Sequence, residues 1–205
     1  MRRLMAGLFR ILLVLVILSF LLVLILRWIN PPTSMMMILR RSEAEMNYQK
    51  DFRIDYRWVD WDQIALHLPL AVIAAEDQNF PIHHGFDLEA ITKALKVYLT
   101  GGRLRGASTI TQQVAKNLFL WPGKSLLRKG IEAYFTALIE IFWHKQRVLE
   151  VYMNIAEFGD GILGEYGVAT LLGNRALASR VGAIVCCAPD QVGAWGAVEV
   201  LRSNF

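Results

Sequence analysis

The chain has 205 residues, of which 55% are hydrophobic and 20% are charged, and its mean hydropathy is +0.36. This balance is too apolar for a disordered chain and too charged for a bundle of membrane helices. The 2 cysteines, Cys186 and Cys187, are neighbours, so the sequence predicts neither a disulfide framework nor a cysteine metal cage.

The net positive charge of the chain comes from its N-terminus. Residues 1–27 contain four arginines and no acid, and they account for the whole net charge of +4. The remaining residues carry 18 basic and 18 acidic side chains. Because the body of the chain is neutral, a nucleic-acid partner is not expected.

A membrane anchor is predicted over residues 11–29. Residues 11–26 are apolar except for Ser19, and Arg10 and Arg27 flank the run. Its length matches a hydrocarbon core of roughly 30 Å, and the preceding arginines favour a cytoplasmic segment 1–10. A cleaved signal peptide is the alternative, but no small-x-small cleavage site follows the run. We therefore expect a single-pass membrane protein with its body on the far side of the membrane, in the periplasm or its equivalent.

The body is predicted to be mainly α-helical, because evidence for strands is thin. A connector, residues 30–54, begins with a proline-rich break. Helices are then expected over 64–79, interrupted at Pro69, over 88–99 after the N-cap Asp87, and to about 118 after Ser108 or Thr109. Two more are expected, over 126–144 after Ser125 and over 145–156.

A block of positive charge lies within this neutral body. Residues 91–131 contain eight lysines and arginines and no acid. Basic groups, hydroxyls and helix N-termini together favour a phosphate or pyrophosphate ligand. A solvated basic face, or one resting on anionic lipid, is the alternative. Two apolar clusters, 97–99 and 118–121, lie within the block and either dip into the bilayer interface or belong to the core.

Carboxylates frame the basic block. Glu76 and Asp77 precede it and Glu132 follows it. A carboxylate at the edge of a positive cleft is a candidate general base, although a helix-end salt bridge is the ordinary role of a single glutamate. The apolar run before Glu76 predicts that its side chain is partly buried. The neighbouring His83 and His84 have no partner at metal-ligand spacing and are expected to be ordinary polar residues.

Four stretches match the motifs of one family in order and spacing. Residues 76–85 fit E-D-x-x-F-x-x-H-x-G, and residues 106–117 fit G-A/G-S-T-I/L-T-Q-Q-x-x-K-N. Residues 128–132 fit R-K-x-x-E, and residues 145–154 fit K-x-x-I/V-L-E-x-Y-L/M-N. The chain thus resembles the peptidoglycan glycosyltransferases, the domain also found in class A penicillin-binding proteins, and in particular their monofunctional members.

The resemblance implies a lysozyme-like glycosyltransferase domain over 55–180, with a membrane-dipping jaw at about 86–122. It implies polymerisation of lipid II into glycan strands, with inversion at the anomeric carbon and release of undecaprenyl pyrophosphate. The catalytic positions fall on Glu76 as general base, Asp77 as supporting carboxylate and Glu132 as a second glutamate that orients substrate or helps to hold a divalent cation, Mg²⁺ or Mn²⁺. The substrate-binding positions fall on Ser108, Thr109, Gln112, Gln113, Lys116, Asn117, Arg128 and Lys129.

The partners implied are lipid II, the growing glycan strand, membrane lipids and other cell-wall synthesis and division proteins. Glu150 and Asn154 lie four residues apart, on one helix face, and are expected to support the cleft structurally.

The resemblance fades after residue 161. Residues 181–205 do not follow the family pattern, and we expect a divergent or truncated tail, with a frameshift or truncation favoured over natural variation because the change is abrupt. Two alternatives to the polymerase therefore stay open. One is a catalytically impaired protein that binds lipid II, and the other is a glycan-cleaving enzyme of lysozyme type, which would need no pyrophosphate site.

Overall fold

The computed structural model describes residues 2–48, 54, 56–64, 67–102, 108–123, 125–159 and 162–163. The predicted tail, 181–205, and three cations of the basic block, Arg103, Arg105 and Lys124, lie outside the described residues. Within these ranges the protein is mainly α-helical, as expected. Its strands are β1 (Glu157–Gly159) and β2 (Ile162–Leu163), which pair antiparallel.

The first helix, α1 (Arg2–Leu26), is long and apolar enough to cross a membrane, by length and composition. It ends just before the proline-rich break in a final turn whose hydrogen bonds join residues three apart. The Arg27 N–H donates to Leu24 O at 3.3 Å, and the Trp28 N–H donates to Ile25 O at 3.1 Å. These i to i+3 bonds are typical of a final 3₁₀ turn.

A second helix, α2 (Met35–Met46), lies in the connector, where the sequence analysis predicted no helix. Its N-cap is Ser34, whose Oγ accepts a hydrogen bond from the Met37 N–H at 3.3 Å. A serine followed by an apolar tetrad is the sequence pattern that would have predicted it.

Among the described residues, a 3₁₀ helix (Trp61–Gln63) and five further α-helices form the body of the protein. The five α-helices are α3 (His67–Glu76), α4 (Leu88–Leu99), α5 (Ile110–Phe119), α6 (Leu126–Phe142) and α7 (Lys145–Ile155). The predicted N-caps Asp87, Thr109 and Ser125 each accept a hydrogen bond from the backbone of the helix that follows. Helix α4 ends in a Schellman motif, in which Gly101 has φ +85° and the Gly102 N–H donates to Val97 O at 2.9 Å.

Several boundaries differ from the prediction. Helix α3 begins at His67 and ends at Glu76 instead of covering residues 64–79. Pro69 does not interrupt it, because it lies in the first turn, where a proline needs no intrahelical donor. Helix α6 ends at Phe142 rather than at residue 144, because Trp143 takes an extended conformation and turns the chain into α7.

The core lies where α5 packs against both α6 and α7. Val114, Ile139 and Leu149, one from each helix, are fully buried, and so is Phe80 from the loop that follows α3. Because this loop and the start of α5 meet on the core, the C-terminal end of α3 is held next to the N-terminal end of α5.

Candidate active site

A cleft of about 290 Å³ lies at the end of α3, between the first turns of α4 and the residues that precede α5. Its walls include four residues predicted from sequence for catalysis or substrate binding, Glu76, Asp77, Ser108 and Thr109. Lys93 contributes a cation from α4 to the same wall. Residues 31 or more apart in the chain therefore meet around one cavity.

Glu76 is the last residue of α3, and its side chain is exposed at the cleft. The predicted partial burial is wrong: Val72 and Ile73 point into the core, whereas the end of the helix faces outward. Gln113 on α5 donates from Nε2 to Glu76 Oε2 at 2.8 Å. No cation of the described chain pairs with this carboxylate, so it is not the ordinary helix-end salt bridge there, and Oε1 is open to a ligand.

Asp77 has very different surroundings from Glu76. Its side chain is only 3% exposed, and both carboxylate oxygens lie 2.9 Å from His83 Nε2. Asp77 Oδ2 also accepts a hydrogen bond from the Ile110 N–H, the first of α5, at 2.9 Å. A carboxylate is well placed at a helix N-terminus. Asp77 therefore ties the loop that follows Glu76 to the start of α5.

Thr109 and Gln112 form a capping box at the same helix start. The Gln112 N–H donates to Thr109 Oγ1 at 3.2 Å, and the Thr109 N–H donates to Gln112 Oε1 at 3.0 Å. The Thr109 hydroxyl also donates to Gly85 O at 2.7 Å. Both side chains are buried and already bonded, so of the four hydroxyl and amide groups predicted here, Ser108 and Gln113 are the more accessible.

A second group of predicted residues lies on α6. Glu132 is 3% exposed and pairs with Arg128 at 3.3 Å and with Lys129 Nζ. The Lys129 side chain is 49% exposed and the Arg128 side chain 14%, so Lys129 presents the more accessible charge. None of the three is among the described residues that line the Glu76 cleft.

Lys116 and Asn117 lie on α5, toward its C-terminal end. Lys116 is half-buried, and Asn117 is buried with an Oδ1 atom that has no hydrogen-bond partner among the described residues. The structure thus separates the predicted site into the Glu76 cleft and a set of cations farther along α5 and α6.

A buried polar network under the loop was not predicted from sequence. Lys145 donates to His83 O at 2.7 Å and to Glu140 Oε1 at 2.9 Å, and the Thr111 hydroxyl donates to the same oxygen at 2.5 Å. Glu140 is the only acid in residues 133–149 and lies in the otherwise apolar last turns of α6. Such an isolated charge usually needs a partner, and this is the signal that could have identified the network.

Two pKa shifts describe the electrostatics around the cleft. Burial raises the pKa of Tyr152 above its usual range, and the negative charge of Glu76 adds to that effect, so the phenol stays protonated. Burial would raise the pKa of Asp87, but hydrogen bonds from the Ala90 N–H and the Asn79 amide outweigh it and lower that pKa. Asp87 therefore stays ionised as the cap of α4.

The two apolar clusters have different surroundings. Val97, Tyr98 and Leu99 on α4 are exposed, at 46%, 58% and 74%. In the second cluster, Leu118 and Leu120 belong to the core and Trp121 is half exposed. The α4 cluster, with Trp121, is therefore available to a lipid surface.

The described residues do not form a cation site of their own. No three of their His, Cys, Asp or Glu side chains cluster at metal-binding distance. Glu132, the position for which the resemblance implies a role near a cation, has both oxygens engaged by Arg128 and Lys129. We therefore derive no step through a metal.

The supporting residues Glu150 and Asn154 hold the chain that enters α3. Asn154 brackets Val59, accepting from its N–H at 2.8 Å and donating to its carbonyl at 2.9 Å. Glu150 accepts from the Trp61 N–H at 3.1 Å. Their predicted structural role is confirmed.

Comparisons with known proteins agree with the motifs. The profile of the Transglycosylase family matches residues 44–172. A biosynthetic peptidoglycan transglycosylase of Xylella fastidiosa (strain 9a5c) is 55% identical over 159 residues, which are 78% of this chain and 65% of that protein. The protein of the same description from Xanthomonas oryzae pv. oryzae is 58% identical over 151 residues, 74% of this chain and 62% of that protein.

The matched part spans slightly less than two thirds of the length of these relatives. The residues matched by the family profile include the cleft, the α5 capping box and the charged face of α6. The family profile covers more than half of the chain, over a mainly helical domain of lysozyme-like class. The chain belongs to the Transglycosylase family.

Proposed function

We propose that this protein is a membrane-anchored peptidoglycan glycosyltransferase that polymerises lipid II into glycan strands. The observation that carries the proposal is the Glu76 carboxylate, exposed at a 290 Å³ cleft and oriented by Gln113. Gln113 belongs to the motif at residues 106–117, and the two relatives described above are biosynthetic peptidoglycan transglycosylases.

Glu76 serves as the general base in this mechanism. A hydroxyl of the acceptor sugar binds at Glu76 Oε1 and gives up its proton to the carboxylate as its oxygen attacks the anomeric carbon of the growing chain. The new carbon–oxygen bond forms as the bond to pyrophosphate breaks, and the electron pair leaves with the pyrophosphate. One displacement inverts the configuration and needs no covalent sugar intermediate.

Cations stabilise the leaving group. Lys129 carries the most accessible charge on α6. The other two cations are Arg128, on the same helix, and Lys116 on α5. Fixed positive groups that face a developing pyrophosphate lower the barrier because they need no reorganisation. A dependence on Mg²⁺ or Mn²⁺ stays a prediction from the resemblance.

The membrane completes the proposal. Helix α1 serves as an uncleaved anchor with its arginine-rich start in the cytoplasm, and the body lies in the periplasm. Exposed Val97, Tyr98, Leu99 and Trp121 rest on the bilayer, where the polyprenyl tail of the substrate is embedded. Other cell-wall synthesis and division proteins stay predicted partners.

The test uses the full chain in detergent with labelled lipid II, with separation of the products on a gel. Folding is checked first by circular dichroism. Ladders of polymer and released undecaprenyl pyrophosphate are expected. A folded protein that makes no polymer contradicts the proposal and favours a lipid II-binding role, and one that shortens finished glycan while ignoring lipid II favours the lysozyme-type alternative.

A further inference from the structure

The catalytic body holds the end of α1 through side chains of α6 and α7. Arg147 on α7 donates two hydrogen bonds to Leu26 O, from Nε at 3.2 Å and from Nη2 at 3.0 Å. Its Nη2 also donates to Ile29 O at 3.0 Å. Trp143 Nε1 donates to Val23 O at 2.8 Å, in a buried position. We define the α1 junction as the contacts that Tyr134, Phe142, Trp143 and Arg147 make with α1 and the residues just after it.

These bonds satisfy carbonyls that a helix cannot pair by itself. The last four carbonyls of an α-helix have no intrahelical partner. In α1, backbone N–H groups that follow the helix donate to Leu24 O and Ile25 O. The side chain of Trp143 donates to Val23 O, and that of Arg147 donates to Leu26 O. The last turn of α1 contains no basic residue, so Arg147 also supplies the positive charge that stabilises a helix C-terminus.

The Arg147 guanidinium is itself held firmly. Its Nη1 donates to Glu150 Oε2 at 2.8 Å and to Asn30 Oδ1 at 2.9 Å. Its Cζ lies 5.1 Å from the centre of the Trp58 ring. The side chain is only 11% exposed. A lysine has a single ammonium group in place of the planar guanidinium and could donate hydrogen bonds to only some of these acceptors.

The α1 junction continues along the helix toward its N-terminus. The hydroxyls of Ser19 and Tyr134 lie 2.9 Å apart, and Phe20 meets Phe142 edge to face at 4.9 Å. Ser19 precedes Leu26 by seven residues, or roughly 10 Å of helix. Contacts spread over this length fix both the height and the tilt of α6 and α7 relative to α1.

We propose that Arg147 is a positioning residue that fixes the height of the Glu76 cleft above the membrane, so that the cleft reaches the sugar–pyrophosphate bond of a lipid-embedded substrate. This inference rests on the proposed function, because it takes α1 to span the bilayer. A residue on the side of α7 that faces α1 would then affect the reaction without touching substrate.

The first arm of the test measures the geometry directly. The background protein has Cys186 and Cys187 replaced by serine, and spin labels are placed at Met5→Cys on α1 and Leu126→Cys on α6, both of which are exposed. Distances are measured by double electron–electron resonance in lipid nanodiscs. A narrow distribution is expected for the background, a broad one for Arg147→Met, and an intermediate one for Arg147→Lys.

The matched control is Arg41→Met, which removes an exposed arginine that pairs with Glu45. Its distance distribution should equal that of the background. An unchanged, narrow distribution in Arg147→Met overturns the proposal. If Arg147→Met does not fold, Arg147→Lys decides, and an unchanged distribution there overturns the proposal in the same way.

The second arm separates position from chemistry. Arg147→Met should slow polymerisation in nanodiscs by about tenfold or more, since small misplacement of reacting groups is costly. On a short-chain lipid substrate in detergent it should stay within about twofold of the background, because the change is remote from the cleft. Equal rates in nanodiscs overturn the proposal. If the background protein makes no polymer in either medium, the proposed function fails, while the distance measurement still decides whether Arg147 fixes α1.

Discussion

Glu76 and Asp77 are adjacent carboxylates in different environments. Glu76 is exposed at the cleft with one oxygen open, whereas Asp77 is buried between His83 and the first N–H of α5. Two neighbouring carboxylates with separate environments can take separate roles. We propose proton transfer as the role of Glu76 and positioning of the Glu76 loop as the role of Asp77.

Asp77→Ala should therefore destabilise the protein. It leaves His83 and the Ile110 N–H without their partner, and a buried hydrogen-bonding group left unsatisfied typically costs about 1–3 kcal/mol. Thermal unfolding in detergent, followed by circular dichroism, measures the effect. The exposed Asp62→Ala is the control, and equal melting temperatures for the two variants would show that Asp77 does not hold the loop.

The sequence predicted the identity of the site residues better than their contacts. Glu76, Asp77 and Ser108 were predicted from motifs, and the structure places all three on one cleft. The bond between Gln113 and Glu76 joins residues 37 apart, so it follows from helix packing rather than from any local pattern. Thr109 and Gln112 fit the S/T-x-x-E/Q capping pattern, a local use that competes with substrate binding.

The helices themselves were largely predictable from their caps. Asp87, Thr109 and Ser125 precede apolar segments, and each caps the helix expected after it. The end of α6 was not predictable from the local sequence, because Trp143 leaves the helix and donates a hydrogen bond to Val23 O of α1, 120 residues away. Tertiary contacts of this kind override local preference.

Gly85 is the glycine on which the loop after α3 depends. Its φ is +78°, and a Cβ there would lie 2.7 Å from Glu140 Cγ and 3.0 Å from Thr136 Cγ2. Gly85→Ala should lower the free energy of unfolding by at least about 2 kcal/mol, through backbone strain and overpacking. Chemical denaturation in detergent gives the value.

Gly130→Ala is the matched control. Gly130 lies within α6, and its added Cβ would meet nothing within 4 Å. Alanine there should stabilise the helix by about 0.5–1 kcal/mol. If both alanines changed stability equally, the close approach of the loop to Glu140 would not be the cause.

At the scale of the whole molecule, the positive charge is divided between two places. One is the start of α1, and the other is the block at residues 91–131, whose described members include Lys93, Lys116, Arg128 and Lys129. The remainder of the chain carries 10 basic and 18 acidic side chains, and its side chains on α6 and α7 join the body to α1 at the α1 junction. This arrangement suits a substrate with a tail in the bilayer and an anionic head beside it.

The central claim is that Glu76 is the general base of a glycan polymerase. The most direct measurement compares rates of lipid II polymerisation for wild type, Glu76→Gln and Glu89→Gln. Glu89 is an exposed carboxylate on α4 that pairs with Lys93, so its replacement removes the same charge near the cleft without removing the base.

We expect Glu76→Gln to fold like the wild type and to lose activity by about 10²-fold or more, the usual contribution of a general base. Glu89→Gln should polymerise within about twofold of the wild-type rate. A folded Glu76→Gln protein that polymerises at the wild-type rate would contradict the claim and move the base to another residue.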